Sequence, residues 1–187
     1  MDEKTNTYCG YINSLDKNEF NVHREYHNTQ YGFPITDDDE LFGRLILEIN
    51  QAGLSWTTIL KKQDSFRKAY HNFSIKKIAS YKEKDFSRLM NDSGIIRNRL
   101  KINAAIENAR TILKIQKENG SFKNWLDSIH PQSREEWTKI FKKTFRFTGG
   151  EIVNEFLVSS GYLKGAHEED CPVYKKILRK KPAWLKK

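Results

Sequence analysis

Residues 41–56, LFGRLILEINQAGLSW, decide how the rest of this chain is interpreted. Glu48 lies close to the edge of an apolar helix face in this stretch. Because an ionised carboxylate among apolar groups is costly unless it is paired, Glu48 is either bound to a structural partner or held ready for a ligand. The apolar side chains recur at the i, i+3, i+4 and i+7 spacing of a core-facing helix: Phe42, Leu45, Ile46 and Ile49.

The second half of the stretch predicts a break in this helix. Gly53 ends the helix and lets other backbone approach closely, while Leu54 and Trp56 place an apolar wedge and a flat ring beside the carboxylate. Wedge, ring and acceptor together suit a nucleobase that has been flipped out of its duplex. An ordinary helix end with a hydrogen-bonded glutamate is the alternative interpretation.

The charge balance favours a polyanionic partner. The 187 residues include 33 Lys and Arg against 24 Asp and Glu, a net charge of +9. Such an excess is typical of proteins that bind nucleic acid, although a merely lysine-rich protein would show the same balance.

Composition also bears on the compartment. No apolar run approaches the ~20 residues of a membrane span, and the first ten residues contain no apolar signal segment. The two cysteines, Cys9 and Cys171, lie near opposite ends of the chain and do not indicate a disulfide framework. We therefore expect a cytoplasmic protein in a reducing compartment, with no membrane partner.

The hydrophobic pattern predicts an all-α fold, a compact helical bundle that forms one unit over residues 1–187. Helical segments follow one another with short breaks, without an alternating strand of useful length. Thr36 and Asp39 are expected to cap the first long helix, and Ser55 to cap a short helix that ends at Leu60. Further short helices are expected over 64–71, 74–80 and 84–90, with two more that start at Ser121 and Ser133.

Helix-breaking residues and charge predict the structure of two further segments. A long helix is expected to run from Ile96 to about residue 117, with Leu100 on its apolar face. Residues 174–187 are basic and interrupted by proline, a pattern that predicts a loosely held arm.

The turn at Gly94, between Leu89 and Leu100, predicts a helix-hairpin-helix over about residues 84–117. Backbone amides in such a short loop, at a helix N-terminus, can hold a phosphate. Arg97 and Arg99 follow the loop and could hold neighbouring phosphates. The arrangement fits contact with the DNA backbone without reading of its sequence, although any αα-hairpin can contain a glycine.

Four residues have the identities of a closed Cys₂His₂ zinc site: Cys9, His27, His167 and Cys171. His167 and Cys171 are spaced i, i+4 and would share a face if that segment is helical. A metal bound by all four would close a loop of about 160 residues and clamp segments 9–27 and 167–171 together, a structural role. The alternative is a buried apolar thiol at Cys9 with both histidines on the surface.

Aromatic residues precede the Glu48 helix, among them Tyr11, Tyr26 and Tyr31. Such rings either stack on a base or fill a core. His23 lies three residues before Tyr26 and is expected to be solvated unless it reaches the same cleft.

With these residues in view, the chain resembles the bacterial 3-methyladenine DNA glycosylase I family, a member of the helix-hairpin-helix glycosylase superfamily. The resemblance extends from Cys9 to Cys171. The matching stretches are Cys9-Gly10, YHN at 26–28, QAGLSWT at 51–57, GIIR at 94–97 and FRF at 145–147, with the pair His167 and Cys171.

The resemblance implies roles for several residues. It makes Glu48 the catalytic carboxylate that accepts hydrogen bonds from the damaged base, with Tyr26 bonding to that base and Trp56 stacking on it. Gly53 and Leu54 then enter the duplex that the base has left. It also implies a structural zinc ion held by the four Cys and His residues named above.

The same resemblance implies the activity: excision of 3-methyladenine from double-stranded alkylated DNA by a monomer, leaving an abasic site. The family lacks the catalytic aspartate of many relatives, and just beyond Gly94 the chain reads IIRN at 95–98. We therefore predict a monofunctional hydrolase without strand cleavage.

The chain departs from the family pattern around the base. His23 stands where the family has a pocket tyrosine, and Tyr11 and Tyr31 stand where it has tryptophans. These three positions leave open a preference for another alkylated base. A non-catalytic or altered-specificity DNA-binding paralogue is the alternative function.

Overall fold

The computed structural model describes residues 7–186 of the protein. Within that range the chain forms eleven α-helices and one short 3₁₀ helix, without a β-strand, and the all-α prediction is confirmed. The helices are α1 Tyr8–Ser14, α2 Val22–Thr29, α3 Asp38–Gln51, α4 Trp56–Ala69, α5 Ile75–Ala79, α6 Glu83–Met90, α7 Arg99–Asn119, α8 Phe122–Ile129, α9 Arg134–Thr144, α10 Gly150–Ser159 and α11 Pro172–Arg179, followed by the 3₁₀ helix Ala183–Leu185.

None of the helices in this range combines the length and the apolar composition that crossing a bilayer requires. The sequence-based expectation about an N-terminal signal segment rests partly on residues 1–6, which lie outside the described range.

The central helix α3 is capped one residue away from the predicted positions. The side chain of Asp37, not Thr36, accepts a hydrogen bond from the backbone N–H of Glu40 at 2.9 Å. Asp39 instead accepts one from the N–H of Ile75, also at 2.9 Å. Asp38 accepts hydrogen bonds from the backbone N–H groups of Phe122 and Lys123 instead, so these tertiary contacts leave Asp37 to cap the helix.

Helix α3 is buried all round, whereas its sequence predicted one apolar face. All ten residues of 41–50 are buried, because α4, α5, α7 and α8 pack around the helix. Gly43 permits one of these contacts, since a Cβ atom there would lie 2.3 Å from the Phe73 ring. A helix enclosed in this way brings its polar side chains into the interior together with its apolar ones.

The segment after the QAGLSW loop is a single helix, not two. Ser55 caps α4 as predicted, by accepting a hydrogen bond from the N–H of Thr58. The helix then continues past Leu60 to Ala69, because no Gly or Pro interrupts it and Phe66 extends its buried face. The predicted break near residue 60 was therefore wrong.

Helices α6 and α7 form the expected helical hairpin, joined by residues 91–98. The side chain of Asn98 caps α7 by accepting hydrogen bonds from the N–H groups of Leu100 and Lys101. Ile96 therefore precedes the helix that it was expected to begin. Leu100 is 68% exposed, so its predicted place on the apolar face was wrong as well.

The described chain divides into two compact units. The first contains residues up to Pro34 and from Leu157 onward; the second is Ile35–Phe156. The expectation that all 187 residues act as one unit stays a prediction.

The C-terminal segment is part of the first unit's core and not a loose arm. Val173 and Ile177 of α11 are buried in one cluster with Cys9 and Cys171. Beyond α11, the ring of Trp184 stacks on Tyr174 at 6.2 Å between centroids. Two of the lysines that suggested a solvated tail, Lys175 and Lys176, lie on the exposed face of α11, an amphipathic helix whose inner face is apolar.

Candidate functional site

The first unit gathers the four candidate metal ligands in one buried cluster, the Cys/His cluster: Cys9, His27, His167 and Cys171. Helix α1 carries the first and α2 the second, while the last is the residue that precedes α11. The segment that contains His167 and Cys171 is not helical, so the condition for a shared helical face is not met. The two side chains meet because this segment folds as a series of turns before α11.

The distances within the Cys/His cluster match a tetrahedral metal site. One potential ligand atom from each residue lies within 4.8 Å of all the others. Cys9 Sγ lies 3.3 Å from His27 Nε2 and 3.7 Å from His167 Nδ1, and Cys171 Sγ lies 3.8 and 3.6 Å from the same two nitrogens. Bond lengths of about 2.3 Å to sulfur and about 2.0 Å to nitrogen place S and N about 3.5 Å apart in a tetrahedron.

Hydrogen bonds fix both imidazoles in the orientation that a metal ligand needs. His167 Nε2 donates to the carbonyl oxygen of Tyr31 at 2.8 Å, which leaves Nδ1 as the lone-pair nitrogen facing the cysteines. His27 Nδ1 lies 2.8 Å from Asn28 Oδ1, which leaves Nε2 facing them. Such outer partners commonly orient metal-ligating histidines. The backbone N–H of Glu168 also lies 3.4 Å from Cys9 Sγ.

Burial sets the protonation of the cluster. Desolvation lowers the pKa of His167 to about 4, with the Tyr31 carbonyl opposing that change, and also lowers the pKa of His27. Both imidazoles are therefore neutral near pH 7, the form that binds a cation. Desolvation raises the pKa of the Cys9 thiol to about 11, so a bound cation would have to displace its proton.

The aromatic residues of the first unit form a continuous ring cluster beside the Cys/His cluster. Tyr8 contacts the rings of Tyr11, His23 and Tyr31, with centroid distances of 6.3, 5.9 and 5.4 Å. Tyr26 lies 5.5 Å from Tyr31 and is 3% exposed. The structure thus brings together all four predicted base-binding residues of this unit, with Tyr8 at their centre.

His23 is not solvated. It is 8% exposed, and its Nδ1 lies 3.1 Å from the hydroxyl of Tyr8, which also donates to the His23 carbonyl at 3.3 Å. Sequence reasoning assigned no role to Tyr8. Its place at the start of an amphipathic helix, one residue before Cys9, was the available signal.

In the second unit, the carboxylate, the apolar side chain and the indole that were predicted to meet a base follow one another along the chain. Glu48 is 3% exposed within α3, and the helix ends one turn later. Gly53 follows with φ of +81° and open space at its Cβ position, and Leu54 is 38% exposed. Trp56 then begins α4 and is partly buried. An acceptor, a projecting apolar side chain and an indole therefore lie within nine residues of one helix-loop-helix.

A buried lysine that sequence reasoning did not place in the site holds this loop. Lys101 is 4% exposed, and its Nζ donates to the carbonyl oxygens of Asn50 and Ala52 at 2.9 and 2.7 Å. These carbonyls belong to the end of α3, where a cation is favoured by the helix dipole. The ammonium also lies 5.8 Å from the ring centre of Phe147. The signal was a lysine among apolar residues in the first turn of α7.

The hairpin carries the predicted phosphate-binding residues on its surface. Arg97 and Arg99 are exposed, and the guanidinium of Arg99 lies 4.9 Å from the ring centre of Phe86. The N–H of Gly94 donates to the carboxylate of Asp92 at 2.8 Å, so this amide already has an internal acceptor. A Cβ atom at Gly94 would lie 3.1 Å from Cβ of Ser65, so the glycine also allows close packing.

Comparison with solved structures identifies the kind of fold. The structure that describes 3-methyladenine recognition by 3-methyladenine DNA glycosylase I from Staphylococcus aureus matches with a TM-score of 0.78 at 31% identity, over 92% of this chain and 98% of that one. A second crystal structure of a 3-methyladenine DNA glycosylase I matches with a TM-score of 0.74 at 34% identity, over 82% and 94% of the two chains. The fold is that of these glycosylases.

Sequence comparison identifies the family. DNA-3-methyladenine glycosylase 1 of Escherichia coli (strain K12) is 34% identical over 185 residues, 89% of this chain and 96% of the relative. The DNA-3-methyladenine glycosylase of Haemophilus influenzae is 35% identical over 173 residues, 82% and 93% of the two chains. Residues 17–141 match the family described as methyladenine glycosylase. The chain belongs to the methyladenine glycosylase family.

Proposed function

We propose that this protein is a DNA repair glycosylase that releases 3-methyladenine from alkylated DNA. Membership of the methyladenine glycosylase family supports the reaction class, and the Escherichia coli relative, named DNA-3-methyladenine glycosylase 1, supports the substrate. The observation that carries the proposal is Glu48, a carboxylate enclosed in α3 directly before the exposed loop of Gly53 and Leu54.

The chemistry of the lesion explains why a carboxylate is useful. Methylation at N3 makes adenine cationic, which weakens the glycosidic bond and makes the base a good leaving group. An anion held away from water distinguishes this base from neutral adenine by charge as well as by shape. The protein then has to flip the nucleotide, bind the base and exclude water from it.

We assign the base contacts residue by residue. Glu48 accepts hydrogen bonds from the damaged base, Trp56 stacks on its face and Tyr26 bonds to its edge. A cationic base against an aromatic face gains about 1–2 kcal/mol of cation–π attraction when desolvated. Tyr11, His23 and Tyr31, as members of the Tyr8 ring cluster, complete the aromatic surroundings.

The reaction is a hydrolysis. The bond between the sugar carbon C1′ and N9 of the base breaks with both electrons going to the base, which leaves as neutral 3-methyladenine. A water oxygen then bonds to C1′ and releases its proton to solvent, which leaves an abasic site. Glu48 stabilises the cationic base before the bond breaks.

Strand cleavage would need an amine nucleophile, and the buried lysine of α7, Lys101, already binds two backbone carbonyl groups. Burial lowers the pKa of Lys101, which favours an amine, yet its Nζ donates to two carbonyl oxygens at the end of α3. An ammonium held in this way is a structural donor. This supports the assignment of a monofunctional enzyme.

We assign the DNA contacts to the hairpin of α6 and α7 and to the loop between α3 and α4. Arg97 and Arg99, which follow the turn at Gly94, hold backbone phosphates of a duplex without reading its sequence. Gly53 and Leu54 enter the space that the flipped nucleotide leaves. We propose that one copy of the chain is sufficient for this and that it acts on DNA in the bacterial cytosol.

We propose that the Cys/His cluster binds one structural Zn²⁺. Two thiolates and two imidazoles in a tetrahedral arrangement are a donor set that Zn²⁺ prefers. Its four ligands come from the two ends of the chain, so the ion would clamp these segments together. It has no part in bond breaking.

Release of free base tests the proposed function. The full chain is incubated with duplex DNA methylated by an N3-alkylating agent, and the released bases are separated by chromatography. We expect 3-methyladenine together with intact, abasic strands. Salt-sensitive binding of the same duplex without release of any base would favour the non-catalytic paralogue instead, and release of a different alkylated base would favour altered specificity.

Lys101→Met should impair the function of the loop that contains Gly53 and Leu54. Methionine keeps the apolar stem but leaves two carbonyl oxygens at the end of α3 without their donor, at about 1–3 kcal/mol each. We expect base release from duplex DNA to slow by about tenfold or more, and the fluorescence of a 2-aminopurine placed beside the lesion to report reduced flipping. Lys117→Met, in the exposed last turn of the same helix, is the matched control. Equal flipping signals for parent and Lys101→Met would contradict a positioning role.

A further inference from the structure

A second basic surface lies beside the middle of α7, away from the turn of the hairpin. A cleft of about 330 Å³ opens there between α7 and the end of α9. Five cationic side chains line it and define what we call the basic cleft: Arg110, Lys114, Lys142, Lys143 and Arg146. All five are exposed. None is among the residues assigned above to the base, to the turn of the hairpin or to the metal.

The charge of the basic cleft is only partly balanced. Glu107, the single carboxylate in its lining, accepts a hydrogen bond from Arg146 Nε at 3.0 Å. Arg110 donates to the carbonyl oxygen of Ala79 at 3.0 Å, which fixes its guanidinium without neutralising it. Neighbouring like charges repel one another, and such a group strongly attracts anions.

A helix-dipole role explains only part of this charge. Lys142 and Lys143 lie in the last turn of α9, where cations stabilise a helix. Arg110 and Lys114 come from the middle of α7, far from either of its ends, and gain nothing from that effect. Cationic side chains from two helices therefore meet in one cleft, an arrangement that favours binding of an anionic ligand.

The lining favours phosphate over a base. Thr111 and Thr144 add hydroxyl donors among the cations. The one ring in the lining, Phe145, is 4% exposed and offers no stacking face. Cations and hydroxyls without an exposed ring or apolar floor are suited to the phosphodiester backbone of a nucleic acid.

The basic cleft is too far from the hairpin to share a phosphate with it. Arg110 follows Arg99 by eleven residues of one continuous helix, a rise of about 17 Å along the axis at about 1.5 Å per residue. Eleven residues complete about three turns, so both side chains project from the same side of α7. Each must therefore contact a different phosphate group.

We propose that the basic cleft is a second, sequence-independent DNA-backbone site that retains the enzyme on undamaged DNA. It extends the proposed function, since a glycosylase has to remain on intact duplex while it searches for a lesion. The phosphates come either from the duplex held by the hairpin or from a second segment of DNA.

Salt-dependent binding of undamaged duplex tests the basic cleft. The variant Lys114→Ala/Lys142→Ala/Lys143→Ala removes three charges from it, and the control Lys68→Ala/Lys76→Ala/Lys77→Ala removes three from exposed positions outside it. Each phosphate contact contributes about 0.9 to the slope of log K against log salt. We expect the cleft variant to lose about two to three units of slope and roughly tenfold or more in affinity at low salt, with little change in the control.

Further measurements separate the outcomes. A single-turnover rate of base release that is unchanged in the cleft variant, at saturating enzyme, shows that the base site is intact. A loss of affinity in the one-to-one complex with a ~20-bp duplex indicates phosphates of the same duplex, whereas a loss only in the binding of a second duplex molecule indicates a second segment; both support the site. Equal slopes in the cleft and control variants would overturn it. Because binding is measured without catalysis, a parent protein that releases no base would refute the proposed function and leave this result standing.

Discussion

Glu48→Gln is expected to lower the single-turnover rate of 3-methyladenine release by roughly 10²–10³-fold, a magnitude typical of one essential catalytic group. Glutamine has nearly the same shape but carries no charge, so it cannot stabilise a cationic base through charge-assisted hydrogen bonds. It also turns an amide donor toward base edges that need an acceptor. The measurement is the release of free base from methylated duplex DNA at saturating enzyme.

A matched control lies on the same helix. Glu40 is eight residues before Glu48 in α3, and its carboxylate accepts two hydrogen bonds from Arg67 at 2.6 Å each. Glu40→Gln removes the same charge at a partly exposed position and should leave base release unchanged. Affinity for undamaged duplex should be the same in both variants. A Glu48→Gln rate within about threefold of the parent would contradict the assigned role.

Loss of the metal is expected to have the largest effect on stability. Gently purified protein should contain about one zinc ion per chain, and Cys171→Ser should lose it. Because the four ligands come from both ends of the chain, the ion closes a loop of about 160 residues and stabilises the first unit. We expect Tm to fall by about 10 °C or more, on a scale of about 2–4 °C per kcal/mol for a chain of this size. Elemental analysis and thermal melting, with and without a chelator, measure both effects.

His130→Ala is the control for the metal, because His130 lies in the second unit, where its ring stacks on Trp137 at 6.4 Å. It should keep a full complement of zinc. His167→Ala, which removes a nitrogen ligand instead of a sulfur ligand, should behave like Cys171→Ser. Protein that contains no metal, and that melts at the same temperature in a chelator, would refute the zinc proposal.

Local sequence signals predicted much of the candidate site. Gly53 takes the left-handed conformation that its place after a helix suggested, and Ser55 caps the helix that follows. The residue types Cys and His were sufficient to propose a metal cluster before any geometry was available. Each of these features depends on a single side chain or on a few neighbouring residues, which is the range over which sequence patterns are informative.

The residues whose surroundings the sequence did not predict depend on contacts between distant parts of the chain. Lys101 received no role from the sequence, yet its ammonium lies buried against the end of α3. His23 looked solvated, yet it is bonded to Tyr8. The tail after Tyr174 looked mobile, yet α11 contributes Ile177 to the core of the first unit. In every case a residue distant in sequence supplies the partner.

The sequence by itself determined the helical class, the loop after α3 and the identities of the residues that could bind a metal or a base, because these follow from local periodicity, from backbone preferences and from side-chain chemistry. Tertiary structure alone decided that α3 is enclosed on every side, so that Glu48 is buried. It alone also brought His167 to Cys9 and placed the cations of α7 and α9 around one cleft. Burial and charge density depend on which surfaces pack together, and no local stretch of sequence contains that information.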